Sequence, residues 1–353
     1  MRLEFIDRVK DNEVLGKNIL TNDGKILLKE GVRLNRNYIK KLKELGVFYI
    51  YIEDDRLEDV EIEDNKLLEL KQAVMKNMST ILKNVYSCNK RKVSESLEIV
   101  EDLVDYIINM GDVNKSLYDI QTYDNYTFVH SLDTCIMSCF LGISSGLSGT
   151  ELNELAIGAI LHDIGKIKIS NKIINKKGSL TNEEFMEIKK HPLYGKEILI
   201  KNINIPYNAI KAVVQHHERV DGKGYPFNLK GNEISKFGKI VCICDVYDAV
   251  GSDRVYRKKF SPNEAYELIL AGSSQAFDEN FVKNFKSTFS VYPLGACVKL
   301  SNSVEGYVVR QNKNFPDRPV IRVLYDSKTK LPIEFYEIDL LKNNNLVIES
   351  MVL

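Results

Sequence analysis

All five histidines of this 353-residue chain lie between His130 and His217, and no imidazole occurs outside that window. Histidine used as a polar filler or an isolated pH switch would be scattered along the sequence; confined like this, it points to one site. Four separate stretches carry it: His130, the His162-Asp163 pair, His191, and the His216-His217 pair. Whatever the fold, it has to bring those stretches to a common point.

The composition sets the frame for that site. At 44% apolar content the chain is long enough for two or three domains and a substantial core. Lys plus Arg and Asp plus Glu are equal at 49 each, so no overall basic field exists to hold polymeric nucleic acid or an acidic membrane. The most apolar central stretch, Leu132 to Leu147, is interrupted by Asp133, Ser138 and Ser144. It falls short of the ~20 residues that a spanning helix needs. Glu4, Asp7 and Asp11 near the N-terminus argue against a signal peptide, and a cytoplasmic protein is expected. The six cysteines form no CxxC pair and are read as reduced, mostly buried thiols. Cys242 and Cys244 alternate with Ile243 in an apolar run and are read as core rather than as metal ligands.

Patterning divides the chain into four parts. Residues 1–55 read as a small α/β module: strands at Val14–Leu20, Ile26–Leu28 and Phe48–Ile52, a turn at Asn22-Asp23-Gly24, and a helix from Asn35 to Leu45 stopped by Gly46. The module holds no catalytic constellation and is assigned a regulatory or partner-binding role. Gly16-Lys17 and Gly24-Lys25 lack the spacing of a phosphate loop. Residues 56–116 read as a helical linker. The acidic run from Glu53 to Asp64 is expected to be a solvated face or connector. The apolar stripe from Leu67 to Val85 could make a long packing helix or a homodimer contact. Residues 117–290 predict a string of amphipathic helices: Val129–Ile143, Glu151–Gly165, Thr181–Leu199, Pro206–His217, Ser235–Val250, Pro262–Ala271 and Glu279–Phe289. Residues 291–353 turn to short β-like runs such as Gly306–Arg310 and Pro319–Tyr325. The fold class is mainly α, with small flanking α/β and β segments.

Every candidate ligand falls in the helical part. On a helix starting at Glu151, His162, Asp163 and Lys166 emerge together on the last turn. A carboxylate has two oxygens and can bridge two cations, which imidazole cannot, so Asp163 is the natural shared ligand. His191 opens one helix and His216-His217 closes another. Asp245 lies among apolar neighbours, where a carboxylate has to be paired or bound to a cation. Imidazoles with carboxylates suit Fe, Mn, Zn, Ni or Co better than a closed cysteine site. Two such cations sharing a carboxylate form the arrangement that attacks phosphate esters.

At this density the residues resemble the HD-GYP family of the HD metal-dependent phosphohydrolases. The likeness runs through His162-Asp163-Ile164-Gly165-Lys166, His191-Pro192 with Gly195, His216 to Pro226, Asp245 with Tyr247 and Asp248, Arg254-Val255-Tyr256-Arg257, and Phe277-Asp278. The resemblance implies an all-helical HD-type domain that hydrolyses the bacterial second messenger cyclic di-GMP to linear pGpG, often onward to GMP, with a bridging hydroxide as nucleophile. It implies two divalent ions, Fe or Mn first. One would be held by His130, His162, Asp163 and Asp245, and the other by Asp163, His191, His216 and His217. Asp163 and Lys166 would be catalytic, Lys166 binding the scissile phosphate. Arg254 and Arg257 would contact phosphate and guanine. The signature loop Asp221, Gly222, Gly224, Tyr225 and Pro226 would line the site or face a signalling partner protein. Tyr126 stands where members of a three-metal type have glutamate, which favours two ions, and Val220 replaces a common aromatic residue. Two readings stay open beside cyclic di-GMP hydrolysis: another cyclic dinucleotide such as cyclic GMP-AMP, or a non-hydrolysing scaffold.

Overall fold

The structure is a computed structural model describing the chain except residues 22–24, 46, 61, 63, 88, 111–114, 117–126, 177, 202–204, 252–259, 261, 314, 327, 330 and 353. At the N-terminus, β1 (Arg2–Phe5), β2 (Ile19–Leu20), β3 (Ile26–Leu28), α1 (Arg36–Glu44) and β4 (Tyr49–Ile52) follow in order. β2 pairs with β3 and β1 with β4, both antiparallel. The Asn35 side chain caps α1 by accepting from the Tyr38 amide, which sets the start of that helix where a polar cap precedes its apolar stripe. The expected strand Val14–Leu20 survives only at its end, since Val14 and Leu15 make single bridges to Arg33 and Ile52. The Asn22-Asp23-Gly24 turn and Gly46 lie outside the described residues.

The acidic run has a solvated charged face, with Glu53, Asp55, Glu58 and Asp59 exposed, and a buried apolar one. Leu57, Val60 and Ile62 are buried in one cluster with Leu3, Tyr51, Val298, Val308 and Ile321. Asp59 takes a two-pronged bond from Arg322, at 2.7 and 2.6 Å, and Glu337 holds the same guanidinium at 2.8 Å. The apolar alternation within the run thus docks the N-terminal module against the C-terminal sheet.

Helices α2 (Asn65–Tyr86) and α3 (Lys90–Asn109) come next, followed by the short strand β5 (Lys115–Ser116) and then by α4 (Thr127–Ser144) and α5 (Gly149–Ile160). The chain continues through α6 (Asn171–Ile174), α7 (Asn182–Ile188), α8 (His191–Leu199), α9 (Tyr207–Gln215), α10 (Lys236–Gly251), α11 (Pro262–Ala271) and α12 (Glu279–Thr288). The stripe considered for dimerisation is spent inside the chain: Val74, Met78, Ile81 and Val85 share one core with Leu103, Phe140, Leu155, Val213, Ile240 and Phe285. A buried ion pair, Lys71 Nζ to Asp133 Oδ1 at 2.8 Å, ties α2 to α4. Thr181–Leu199 is two helices rather than one. A capping box between Thr181 and Glu184 starts α7, and Pro192, which tolerates only a first turn, opens α8.

β6 (Phe289–Ser290) pairs in parallel with β5. β7 (Cys297–Leu300), β8 (Glu305–Asn312), β9 (Phe315–Tyr325), β10 (Pro332–Asp339) and β11 (Ile348–Met351) form an antiparallel sheet in the order β10-β9-β8-β7-β11. Among the described residues no helix is long and apolar enough to cross a membrane. Cys135, Cys139, Cys242 and Cys244 are free and buried.

Candidate metal centre

Helix α5 stops at Ile160, so His162 and Asp163 leave from a turn just past the helix rather than from its last turn, and a 3-10 segment follows over Ile164–Lys168. Gly165 shows why the chain bends here. A Cβ on it would lie 1.9 Å from the His191 carbonyl oxygen and 2.5 Å from the Gly195 amide. Two backbones meet at that point, and the contact presents His162-Asp163 and His191 to the same space.

Three histidines are oriented by one local device. Nδ1 of His162 lies 2.7 Å from the Ala159 carbonyl, Nδ1 of His191 lies 2.8 Å from that of Ile188, and Nδ1 of His216 lies 2.7 Å from that of Val213. Each carbonyl sits three residues back and accepts the Nδ1 proton, which leaves the Nε2 lone pair free to point inward. His130 is oriented differently: its Nδ1 is 2.6 Å from Asp248 Oδ2, and its Nε2 is 3.0 Å from Asp245 Oδ1.

The donor atoms gather into overlapping groups. His191, His216 and His217 form one, His130, His162 and Asp245 another, and His162, Asp163 and His216 a third between them, with all atoms of a group within 4.8 Å of one another. Asp163 faces both sides. Its Oδ2 is 3.4 Å from His162 Nε2, and its Oδ1 is 3.4 Å from His191 Nε2. Asp245 likewise reaches His130 through Oδ1 and His217 Nδ1 through Oδ2, the latter at 3.6 Å. His191 and His216 bring their Nε2 atoms to 3.1 Å. The Lys166 ammonium donates to Asp163 Oδ2.

The electrostatics match a site built for cations. Among the described residues, His162 Nε2 and Asp163 Oδ1 are buried without a hydrogen-bond partner, a costly state that a cation would relieve. Burial keeps His191 and His217 neutral, lowering them to about 4 and about 3, and holds His216 well below the usual imidazole range. Burial opposes the charge on Asp163, yet Lys166 and His162 hold its carboxyl well below the ordinary range; His130 does the same for Asp245. Burial also opposes charge on His130, but the carboxylates at both its nitrogens push it up to about 10. The donor set of neutral imidazoles and ionised carboxylates fits divalent transition metals. Burial pushes the Cys242 thiol up to about 12 and raises Cys244 further, so neither offers a thiolate, in line with the core reading.

The signature loop closes one side. Gly222 adopts φ +76°, and a Cβ on Gly224 would strike the backbone of Arg219, Glu218 and His217 at 2.4 to 2.6 Å. Asp221 binds Arg219 and the Lys223 amide. Tyr225 stacks on His217 at 4.7 Å and 28°, and the following residue is Pro226. Sequence reasoning gave no role to two residues here. Asp248 orients His130, and its i+3 spacing from Asp245 on α10 was the available signal. Glu218 is buried and accepts from the Phe227 and Leu229 amides at 2.7 and 3.0 Å, fixing the exit of the loop. Arg254, Arg257 and Tyr126 lie outside the described residues.

Residues 138–281 match the model of the HD domain, and residues 297–352 match that of a KOW domain associated with the HD domain. A cyclic di-GMP phosphodiesterase of Pseudomonas aeruginosa is 31% identical over 243 residues, 69% of this chain and 58% of that protein. A 3′3′-cGAMP-specific phosphodiesterase of Vibrio cholerae is 34% identical over 139 residues, 39% of this chain and 27% of that protein. The chain thus spans little more than half the length of the first of these relatives and less of the second. The solved structure of an HDG"Y"P protein from Bdellovibrio bacteriovorus superimposes with a TM-score of 0.53 at 17% identity, covering 80% of this chain and 97% of that one, a likeness of fold.

Proposed function

We propose, from the premise that this chain carries an HD domain of the HD-GYP family, that it is a metal-dependent hydrolase of cyclic dinucleotides, with cyclic di-GMP as substrate. The observation that carries the reading is Asp163, which turns one oxygen to His162 and the other to His191 while Oδ1 and His162 Nε2 go without hydrogen bonds. A pure binding module has no use for that arrangement.

Two divalent ions fit, Fe or Mn first: His130, His162, Asp163 and Asp245 would hold one, and Asp163, His191, His216 and His217 the other. Such ions lower the pKa of water to supply a nucleophile at neutral pH and screen the phosphate charge. The chain's own groups do the rest. Asp163 and Asp245 stay ionised, His162, His191 and His216 are locked in orientation by the carbonyls behind them, and Lys166, whose ammonium donates to Asp163 and whose side chain is 30% exposed, is assigned to the scissile phosphate. Addition of water to phosphorus with rupture of the P–O3′ bond gives linear pGpG, the proton passing to the departing 3′ oxygen; a second round on the remaining diester gives GMP. Arg254 and Arg257 are assigned to phosphate and guanine. Tyr225 stacked on His217 supports a site-lining role for the loop over presentation to a partner protein. Free, buried thiols fit a reducing, cytoplasmic setting.

Relatives named for 3′3′-cGAMP favour that dinucleotide as the second reading. Turnover of cyclic di-GMP and of 3′3′-cGAMP by protein purified without oxygen and supplied with Fe(II) or Mn(II) decides between them. Faster hydrolysis of cyclic di-GMP is expected. Preference for cGAMP transfers the assignment, and no turnover of either with metal bound overturns it.

A further inference from the structure

A 3′,5′-cyclic dinucleotide carries two phosphodiesters in one macrocycle, and only one can lie at the metal centre during cleavage. Resting on the function proposed above, we infer that Lys189 is the cation that receives the other, non-scissile phosphate and so favours cyclic dinucleotides over simple diesters.

Lys189 is the C-cap of α7, two residues before the ligand His191. The carboxylates nearest to it in sequence are already engaged: Glu184 by Lys176 at 2.5 Å, and Glu187 by Lys190 at 2.7 Å and by the Tyr194 hydroxyl at 2.9 Å. Among the described residues Lys189 has no ion pair. Its ammonium lies instead over two rings, 4.7 Å from the centroid of Phe185 and 5.3 Å from that of Tyr225. Tyr225 in turn stacks on His217 at 4.7 Å and meets His191 edge-on at 6.4 Å. One aromatic ring therefore connects the metal-side histidines to an ammonium that no carboxylate neutralises. Lys166, by contrast, is paired with Asp163 and belongs to the reacting phosphate. A half-buried lysine held by aromatic faces rather than by a carboxylate is available to an anionic ligand, and a phosphate diester is the anion that this substrate brings.

The test compares two substrates in the metal-loaded protein. Cyclic di-GMP has the second phosphate, and bis(p-nitrophenyl) phosphate has a single diester. In Lys189→Ala the KM for cyclic di-GMP is expected to rise about tenfold or more, the loss of one charge-assisted hydrogen bond, with kcat little changed. Lys189→Arg should restore most of the affinity, and turnover of the simple diester should stay near wild type. An equal loss on both substrates would make Lys189 only a brace for Tyr225, and an unchanged KM for cyclic di-GMP would remove it from binding; either overturns the inference. Failure of the wild type to hydrolyse cyclic di-GMP while it cleaves the simple diester would instead bring down the functional reading beneath it.

Discussion

At the residue scale, the centre depends on carboxylates that manage the histidines. Asp248 holds His130 through its Nδ1 at 2.6 Å, so Asp248→Asn should weaken metal affinity about 10- to 100-fold while the fold stays intact. Competition with a coloured chelator measures this, and unchanged affinity would mean that His130 needs no positioning. Proton accounting makes a second claim. With His130 raised to about 10, the metal-free site at pH 8 holds a displaceable imidazole proton on that residue. Below about pH 10 the metal competes with that proton, so affinity should climb with pH, and calorimetry in buffers of different ionisation enthalpy should find at least one proton released per site, beyond any given up by metal-bound water. Release of none would contradict the protonated His130. The seven candidate ligands were legible because their chemistry resides in residue type: five imidazoles in one window, with carboxylates beside them. Asp248 and Glu218 were not, since an acid on a helix or loop looks the same whether it meets solvent or a buried partner.

At the element scale, the site is set by where helices end. Hydrophobic periodicity located most of the helices well, because a buried stripe repeats at the helical period whatever it packs against. It misplaced the end of α5, where the break comes from tertiary contact at the Gly165 backbone crossing, and merged α7 with α8, although Pro192 was a local signal for a new helix start. Gly165→Ala tests that crossing. The added methyl cannot coexist with a carbonyl oxygen 1.9 Å away, so either the backbone shifts or the segment unpacks. A loss of about 2–3 kcal/mol in urea unfolding is expected, together with weakened metal binding, because the displaced residues are His162 and Asp163. A variant of native stability would show that the crossing has slack.

At the scale of the whole molecule, the two ends of the chain close on each other. The pairing of Asp59 with Arg322 was missed because Arg322 lies on a distant strand, and no local pattern announces a contact across so much sequence. Arg322→Ala should cost about 1–3 kcal/mol, less than a fully buried pair would, since Asp59 is largely exposed and Glu337 partly so. Chemical denaturation reads the loss, and an unchanged midpoint would make the contact decorative. Around this frame the helical domain presents a centre whose defining claim is that Asp163 joins two ions. The direct measurement is a titration of chelator-stripped protein with Mn(II), following bound metal and cyclic di-GMP hydrolysis in the same samples, for wild type and Asp163→Ala. Turnover that appears with the second equivalent in wild type and is absent from the variant, which should also bind less metal, is the expected result. Full turnover at one equivalent, or an active Asp163→Ala protein with two ions bound, would contradict the shared carboxylate.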